Sequence, residues 1–300
     1  DSNLLAAPAS ETSLFLDTPV TVSPSKYDVG LLAFGTARVV HDLGYQEGHE
    51  LFASVSGYGN WQGHLIGQDV QAIALEAGGT YRTDLVNITP SVTYAYLRLN
   101  HEKFLRSNGV KLRLDRKVNE KIEVFAEDHW QRQDFDHVRN TANGSDVAST
   151  APERTGNRND TDLGLNYNMN PVNQVTFGYG HTEKQAASHF EAYSGDEFRI
   201  GDIWLLGKGQ FLLGNVSAGW LRYDDPDPFV SVRTRHDRLY RARLTYGVPL
   251  GTLSPWNLPG FFSDITFTLT VEQLRQISNI PNFTYDNTKG QALFTKRWEF

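Results

Sequence analysis

Length, composition and charge exclude several classes of protein. The chain has 300 residues, a formal net charge of -7 and a pI of about 5.7, which argues against a general nucleic-acid-binding protein. No stretch approaches the roughly 18 consecutive apolar residues that a membrane helix needs. The absence of cysteine fits export through an oxidising compartment without disulfides.

The first 26 residues show no alternation of polar and apolar side chains. A short polar and apolar start is followed by a stretch rich in Thr, Pro and Ser, which is typical of an extended segment. We therefore expect residues 1–26 to be a lead-in, lying in a lumen or joining the rest of the chain to an upstream periplasmic domain. Residues 27–300 are expected to form one domain.

Runs of alternating polar and apolar side chains recur about every 20 residues from there on, the spacing of membrane-crossing strands and their connections. In the clearest run, Ile265, Phe267, Leu269 and Val271 take the positions between threonines. The runs are 27–41, 49–61, 71–82, 88–101, 109–118, 121–131, 163–167, 175–179, 197–206, 211–223, 229–248, 261–272, 281–287 and the final strand.

Counting these runs gives about 14 strands and predicts an all-β, antiparallel transmembrane β-barrel with both termini in the periplasm. Aromatic residues are 12% of the chain although mean hydropathy is only -0.44, as expected when lipid meets alternate positions only. A soluble β-sandwich, lectin or propeller would also give alternating strands and is the competing fold. The longest irregular stretch, 137–157, is expected to be extracellular. The periplasmic connections are expected near 42–48, 84–87, 118–120, 170–173, 207–210, 249–260 and 288–289.

The last residues place Phe294, Trp298 and Phe300 on one face and polar residues such as Thr295 on the other. This ending resembles the C-terminal signal of bacterial outer-membrane barrels, although Lys296 stands where an apolar residue is usual. The resemblance implies a location in the outer membrane, as a multi-pass protein, and recognition by the barrel-assembly machinery.

Three segments in the last third of the chain carry a more specific resemblance. They are a tyrosine and acidic-proline loop at 223–229, a strand at 235–246 that begins Arg-His-Asp-Arg-Leu-Tyr, and a Ser-Asn hairpin at 278–287. Together they resemble the C-terminal barrel of surface lipoprotein assembly modifiers, where the barrel follows a periplasmic tetratricopeptide-repeat domain. The resemblance implies a translocation barrel that helps deliver lipoproteins to the cell surface. The alternative is a passive or polysaccharide-specific channel, since barrels of exopolysaccharide exporters share this layout.

Charged residues on the polar positions of the strands are the candidate functional residues. They either line a pathway that selects an anionic solute, a sugar polymer or an unfolded chain, or pair across strands and fill a polar interior. The candidates are Lys111, Arg113, Lys117, Glu123, Glu127, Arg233, Arg235, Arg241, Arg243, Asp264 and Glu272.

Catalytic chemistry has weak support in the sequence. His181, Ser188 and His189 form the one local group with a nucleophile and a base, but no acid partner stands at a defined spacing. The nine histidines are scattered singly, without metal-ligand spacing. We therefore expect no enzyme activity, no metal and no cofactor. The expected partners are membrane lipid, the barrel-assembly machinery and an exported cargo, either a lipoprotein or a polymer.

Overall fold

The computed structural model describes residues 12–21, 27–44, 48–64, 68–136, 151–253 and 264–298. Two short strands, β1 (Thr12–Phe15) and β2 (Thr18–Thr21), form a separate hairpin. The remaining strands form one 13-stranded sheet. No helix among the described residues is long and apolar enough to cross a membrane.

The strands of the sheet are 12 to 16 residues long. They are β3 (Gly30–Asp42), β4 (Glu50–Gln62), β5 (Val70–Arg82), β6 (Asn87–Leu99), β7 (Glu102–Lys117), β8 (Ile122–Phe135), β9 (Gly156–Asn170), β10 (Asn173–Lys184), β11 (Tyr193–Gly207), β12 (Gln210–Tyr223), β13 (His236–Pro249), β14 (Ile265–Ser278) and β15 (Tyr285–Lys296).

Each strand pairs antiparallel with its neighbours in the chain, so the sheet is a simple meander from β3 to β15. Asparagine side chains close two of the tight turns: Asn119 accepts hydrogen bonds from the amides of Lys121 and Ile122, and Asn170 accepts one from Val172. We call the end of the sheet that carries these turns the turn end. The opposite end, with the longer connections 136–155, 185–192 and 224–235 among others, is the loop end.

The two faces of the sheet differ in chemistry. On the apolar face, Val92, Val110 and Trp130 are cross-strand neighbours and all remain exposed. On the polar face, Lys111 lies beside His129. Among the described residues, few large hydrophobic side chains are buried, whereas more than forty are exposed. A sheet with an apolar outer band and a polar interior is the arrangement of a transmembrane β-barrel, as predicted.

The end of the sheet corrects one predicted connection. The runs at 281–287 and at the C-terminus are one continuous strand, β15, so there is no turn at 288–289. Its outward positions, from Thr288 through Gly290 to Phe294, keep a single alternation opposite β14. The first half of the strand, toward the loop end, is polar and the second half is more apolar, so in the sequence the two halves look like separate elements. The described sheet accordingly has 13 strands and not the predicted 14. The prediction put both ends of the barrel at the periplasmic side, whereas β3 begins at the loop end and β15 ends at the turn end.

Because the antiparallel sheet has an odd number of strands, its first and last strands run in the same direction. β3 and β15 both run from the loop end to the turn end, and among the described residues no ladder joins them. The hairpin of β1 and β2 lies at the loop end, where the amides of Leu16 and Asp17 donate to the carbonyl oxygens of Phe229 and Val230. Of the predicted lead-in, residues 1–11 and 22–26 lie outside the described part of the chain. So do residues 137–150 of the long predicted loop and residues 254–260 of the predicted connection 249–260.

Candidate functional site

The polar face carries a first charged cluster on strands β3 to β8. Lys111 Nζ lies 2.6 Å from Glu76 Oε1, and Arg113 Nη1 lies 3.4 Å from Glu127 Oε2. Glu50 lies between Arg38 and Arg82, at 3.9 and 3.4 Å. These side chains surround a cavity of about 400 Å³.

A second charged cluster follows on strands β8 to β11. Asp160 accepts hydrogen bonds from Arg158 Nη2 at 2.8 Å and from Thr182 Oγ1 at 2.7 Å. Arg199 pairs with Asp162. The cavity beside this cluster is about 390 Å³. Each positive charge therefore has a carboxylate on its own or a nearby strand, as expected for a polar interior stiffened by cross-strand pairs.

Strand register explains why these charges meet. In the pairing of β7 with β8, Lys111 stands opposite His129, Arg113 opposite Glu127, and Lys117 opposite Glu123. Because side chains alternate, residues two apart on both strands point to the same face. The alternation read from the sequence at 109–131 therefore predicts this cluster.

The other predicted residues separate into two groups. Arg243 stands opposite Glu272 on the polar face of β13 and β14, with Arg241 two residues before it. Arg233 and Arg235 precede β13, and Asp264 precedes β14. The predicted run 229–248 was wrong at its start, since β13 begins at His236. Residues 224–235 belong to the connection from β12.

Several charged residues on the polar face were not selected from the sequence. They are Arg38, Glu50, Glu76, Arg82, Arg158, Asp160, Asp162, Glu197 and Arg199. The predicted run at 163–167 began too late, because β9 starts at Gly156 with six polar residues in succession. Alternation is invisible where both faces are polar. Arg38 and Glu76 could have been predicted, because both lie at polar positions of the alternating runs 27–41 and 71–82.

Arg235 belongs to a buried ion pair at the loop end. Its guanidinium lies between the rings of Tyr223 and Phe283, at 4.4 and 3.6 Å from their centroids. Its Nε donates to Asp237 Oδ2 at 2.8 Å, and Gln276 Nε2 donates to the same oxygen at 3.1 Å. Asp237 is only 1% exposed. The pair thus joins the connections before β13 and before β15.

The hairpin of β1 and β2 is held by Asp17. Its carboxylate accepts hydrogen bonds from Ser231 Oγ at 2.7 Å and from the amide of Val232 at 3.0 Å. These two hydrogen bonds lower the pKa of Asp17 from its ordinary value of 3.8. The N-terminal segment is thereby attached to the connection between β12 and β13.

We expect this attachment to depend on acid pH. A carboxylate whose pKa is lower when docked stabilises docking above its ordinary pKa, and this stabilisation is lost as pH falls below 3.8. Hydrogen exchange at the amides of Leu16 and Asp17, corrected for intrinsic rates, should therefore accelerate as pH falls below that value. In Asp17→Asn the exchange should be fast at every pH. A pH-independent rate in the unmodified chain would contradict the assignment.

His181, Ser188 and His189 do not come together as a catalytic group. His181 lies on the apolar face, where its Nδ1 is 2.9 Å from Asp196 Oδ1 and Tyr179 Oη donates to the same oxygen. Ser188 and His189 lie in the connection between β10 and β11. No group of three or more metal-ligating side chains occurs among the described residues.

The predicted assembly signal is partly described. Phe294 lies on the apolar face with its ring 5.2 Å from that of Phe267. Trp298 follows β15 and is 62% exposed. Phe300 lies outside the described residues.

No protein-family model and no curated protein matches the sequence. The fold is similar to the copper transporter OprC, with a TM-score of 0.45 and 9% identity over 88% of this chain and 52% of that one. It is also similar to BamA from Haemophilus ducreyi lacking POTRA domains 1-3, with a TM-score of 0.40 and 9% identity over 91% of this chain and 68% of that one. For OccK10 (OpdN) of Pseudomonas aeruginosa the TM-score is 0.38, with 12% identity over 96% of this chain and 97% of that one.

The chain spans about half the length of the OprC chain that it resembles. The apolar and polar faces of the present sheet are those of a multi-pass barrel of the bacterial outer membrane.

Proposed function

We propose that this chain is an outer-membrane translocation barrel that helps deliver lipoproteins to the bacterial cell surface. It carries no catalytic centre in this proposal, and its partners are the barrel-assembly machinery and the exported lipoprotein. The motifs at 223–229, 235–246 and 278–287 support the choice of cargo through their resemblance to surface lipoprotein assembly modifiers.

One observation carries the proposal: the two edge strands are parallel and lack a ladder between them in the described part of the sheet. Each edge presents a row of backbone donors and acceptors. A strand that entered the seam in the opposite direction would be antiparallel to both β3 and β15. Such a seam therefore suits a transient guest strand and a lateral route out of the interior.

Cross-linking the seam tests this route. The chain has no cysteine, so a bismaleimide reacts only at the introduced pair Ala37→Cys and Ala292→Cys, one on each edge strand, and the fraction bridged is measured by gel mobility. We expect bridging to abolish surface display of a lipoprotein, measured by its accessibility to external protease. The matched control is Ala53→Cys with Ala77→Cys, which face each other on the paired strands β4 and β5. Bridging the control should leave display unchanged.

Undiminished display with a fully bridged seam would contradict the lateral route. Loss of display in the control as well would mean that the bridges act through general rigidity and not through the seam.

A passive or polymer-specific channel is the second candidate. It is supported by the two cavities of about 400 and 390 Å³ on the polar face, both lined by charges of each sign. Planar-bilayer recording separates the two functions. A channel gives steady open-pore steps that persist when the seam is bridged, whereas the translocation barrel is expected to give none in the absence of cargo.

A further inference from the structure

Three exposed arginines lie on neighbouring strands of the apolar face, near the loop end. They are Arg222 on β12, Arg238 on β13 and Arg275 on β14. Register pairs Trp220 with Arg238 and Tyr240 with Arg275, so successive arginines are diagonal neighbours. Diagonal cross-strand neighbours lie about 7–8 Å apart at their Cα atoms. We call these three residues the arginine row.

Aromatic side chains give the depth of the arginine row. Trp220 and Tyr240 are 37% and 40% exposed on the same face, and each stands two residues closer to the turn end than the arginine of its own strand. Below them the face is apolar, with exposed Val216 and Leu244. Trp and Tyr concentrate where hydrocarbon meets head groups. The guanidinium groups of the row therefore lie at the level of lipid head groups.

Much of the positive charge of the row is not neutralised by the protein. Within the described residues, neither Arg222 nor Arg238 forms an ion pair. Arg275 Nε lies 3.6 Å from Asp286 Oδ1, but both side chains are more than half exposed. On β11, opposite Trp220, the carboxylate of Asp196 is engaged by Tyr179 and His181, and it also attracts Arg222 without forming an ion pair with it.

The arginines at the same end of β7 and β8 show the contrast. Arg106 and Arg132 also lie toward the loop end of the apolar face, and both pair with Asp134, at 2.9 and 3.4 Å. Their charge is thus partly compensated within the protein. The arginine row has one ion pair, that of Arg275 with Asp286, for its three guanidinium groups, in a chain whose net charge is -7.

We propose that the arginine row binds the phosphate groups of the phosphorylated glycolipid that forms the outer leaflet of the outer membrane. This inference rests on the proposed function, that of an outer-membrane barrel, and on the expectation that residues 137–157, which connect β8 to β9 at the loop end, are extracellular. Guanidinium groups bind phosphate through paired, charge-assisted hydrogen bonds, and cationic residues at head-group depth recognise anionic lipids. The acyl chains of the lipid would lie along the apolar strip of β12 to β14.

The first test uses the unmodified barrel refolded into neutral phosphatidylcholine vesicles. Bis-phosphorylated lipid A, the same lipid A after phosphatase treatment, and phosphatidylglycerol are added in turn, and bound lipid is counted by native mass spectrometry. We expect the bis-phosphorylated form to bind at least about tenfold more tightly than either of the others. Equal binding of the dephosphorylated form would overturn a phosphate site, and equal binding of phosphatidylglycerol would overturn a glycolipid site.

The second test compares two sets of variants. Arg222→Gln, Arg238→Gln and Arg275→Gln together should weaken binding of bis-phosphorylated lipid A on the order of thirtyfold. The matched control, Arg106→Gln with Arg132→Gln, should change it less than about twofold. Equal loss in both sets would overturn the assignment to this row. If the triple variant does not fold, the lipid comparison on the unmodified barrel decides alone.

Failure of this inference can be told apart from failure of the proposed function. A barrel that inserts into vesicles and displays lipoprotein, but binds all three lipids equally, contradicts only the arginine row. A protein that does not insert at all contradicts the outer-membrane assignment itself.

Discussion

Leu269→Arg is expected to destabilise the barrel in lipid by about 2–4 kcal/mol, whereas Thr268→Arg is expected to cost far less. Leu269 lies at the middle of the apolar positions of β14, between Tyr246 and Ala292, and is 49% exposed. Thr268 is its neighbour on the polar face. Both substitutions introduce the same charge one residue apart, so the difference reports the solvent on each face. Urea titration of barrels refolded into lipid vesicles measures it.

Depth provides a control for the same prediction. Phe294 is on the apolar face but only two residues from the end of β15, so Phe294→Arg should cost less than Leu269→Arg, about 1 kcal/mol or below. Equal cost at Leu269 and Thr268 would show that the two faces meet the same solvent, and the membrane barrel would then be wrong.

Asp237→Asn is expected to cost about 3 kcal/mol or more in the same titration. The substitution leaves the guanidinium of Arg235 between two aromatic rings without its counter-charge, and breaking a buried ion pair from one side is strongly destabilising. The matched control is Asp286→Asn, which removes the carboxylate that faces Arg275. That pair is exposed, so its loss should cost less than about 1 kcal/mol.

A small and equal effect of the two substitutions would contradict the role of Arg235 and Asp237 in joining the loop-end connections. An intermediate loss restricted to Asp237→Asn, with faster hydrogen exchange in residues 224–235, would also locate the effect there and support the role.

The sequence by itself determined the fold class and much of the first charged cluster. Period-two alternation fixes which side chains share a face, so Lys111, Arg113 and Glu127 could be assigned to one face without coordinates. The apolar run of Ile265 to Val271 likewise identified the lipid-facing side of β14. These inferences succeed because they depend only on local strand geometry.

Only the tertiary structure decided how strands continue and which distant charges meet. β15 crosses a polar stretch that looks like a turn, and β9 begins in a run polar on both faces, where alternation carries no signal. The seam between β3 and β15 depends on the strand count, and the attachment of Asp17 joins residues far apart in sequence. Arg235 and Asp237 are near in sequence, but their ion pair is buried because Tyr223, Phe283 and Gln276 from other parts of the sheet surround it. Register and the number of strands are properties of the whole sheet. The register of each strand is defined only relative to the strand with which it pairs, so it cannot be read from one strand alone.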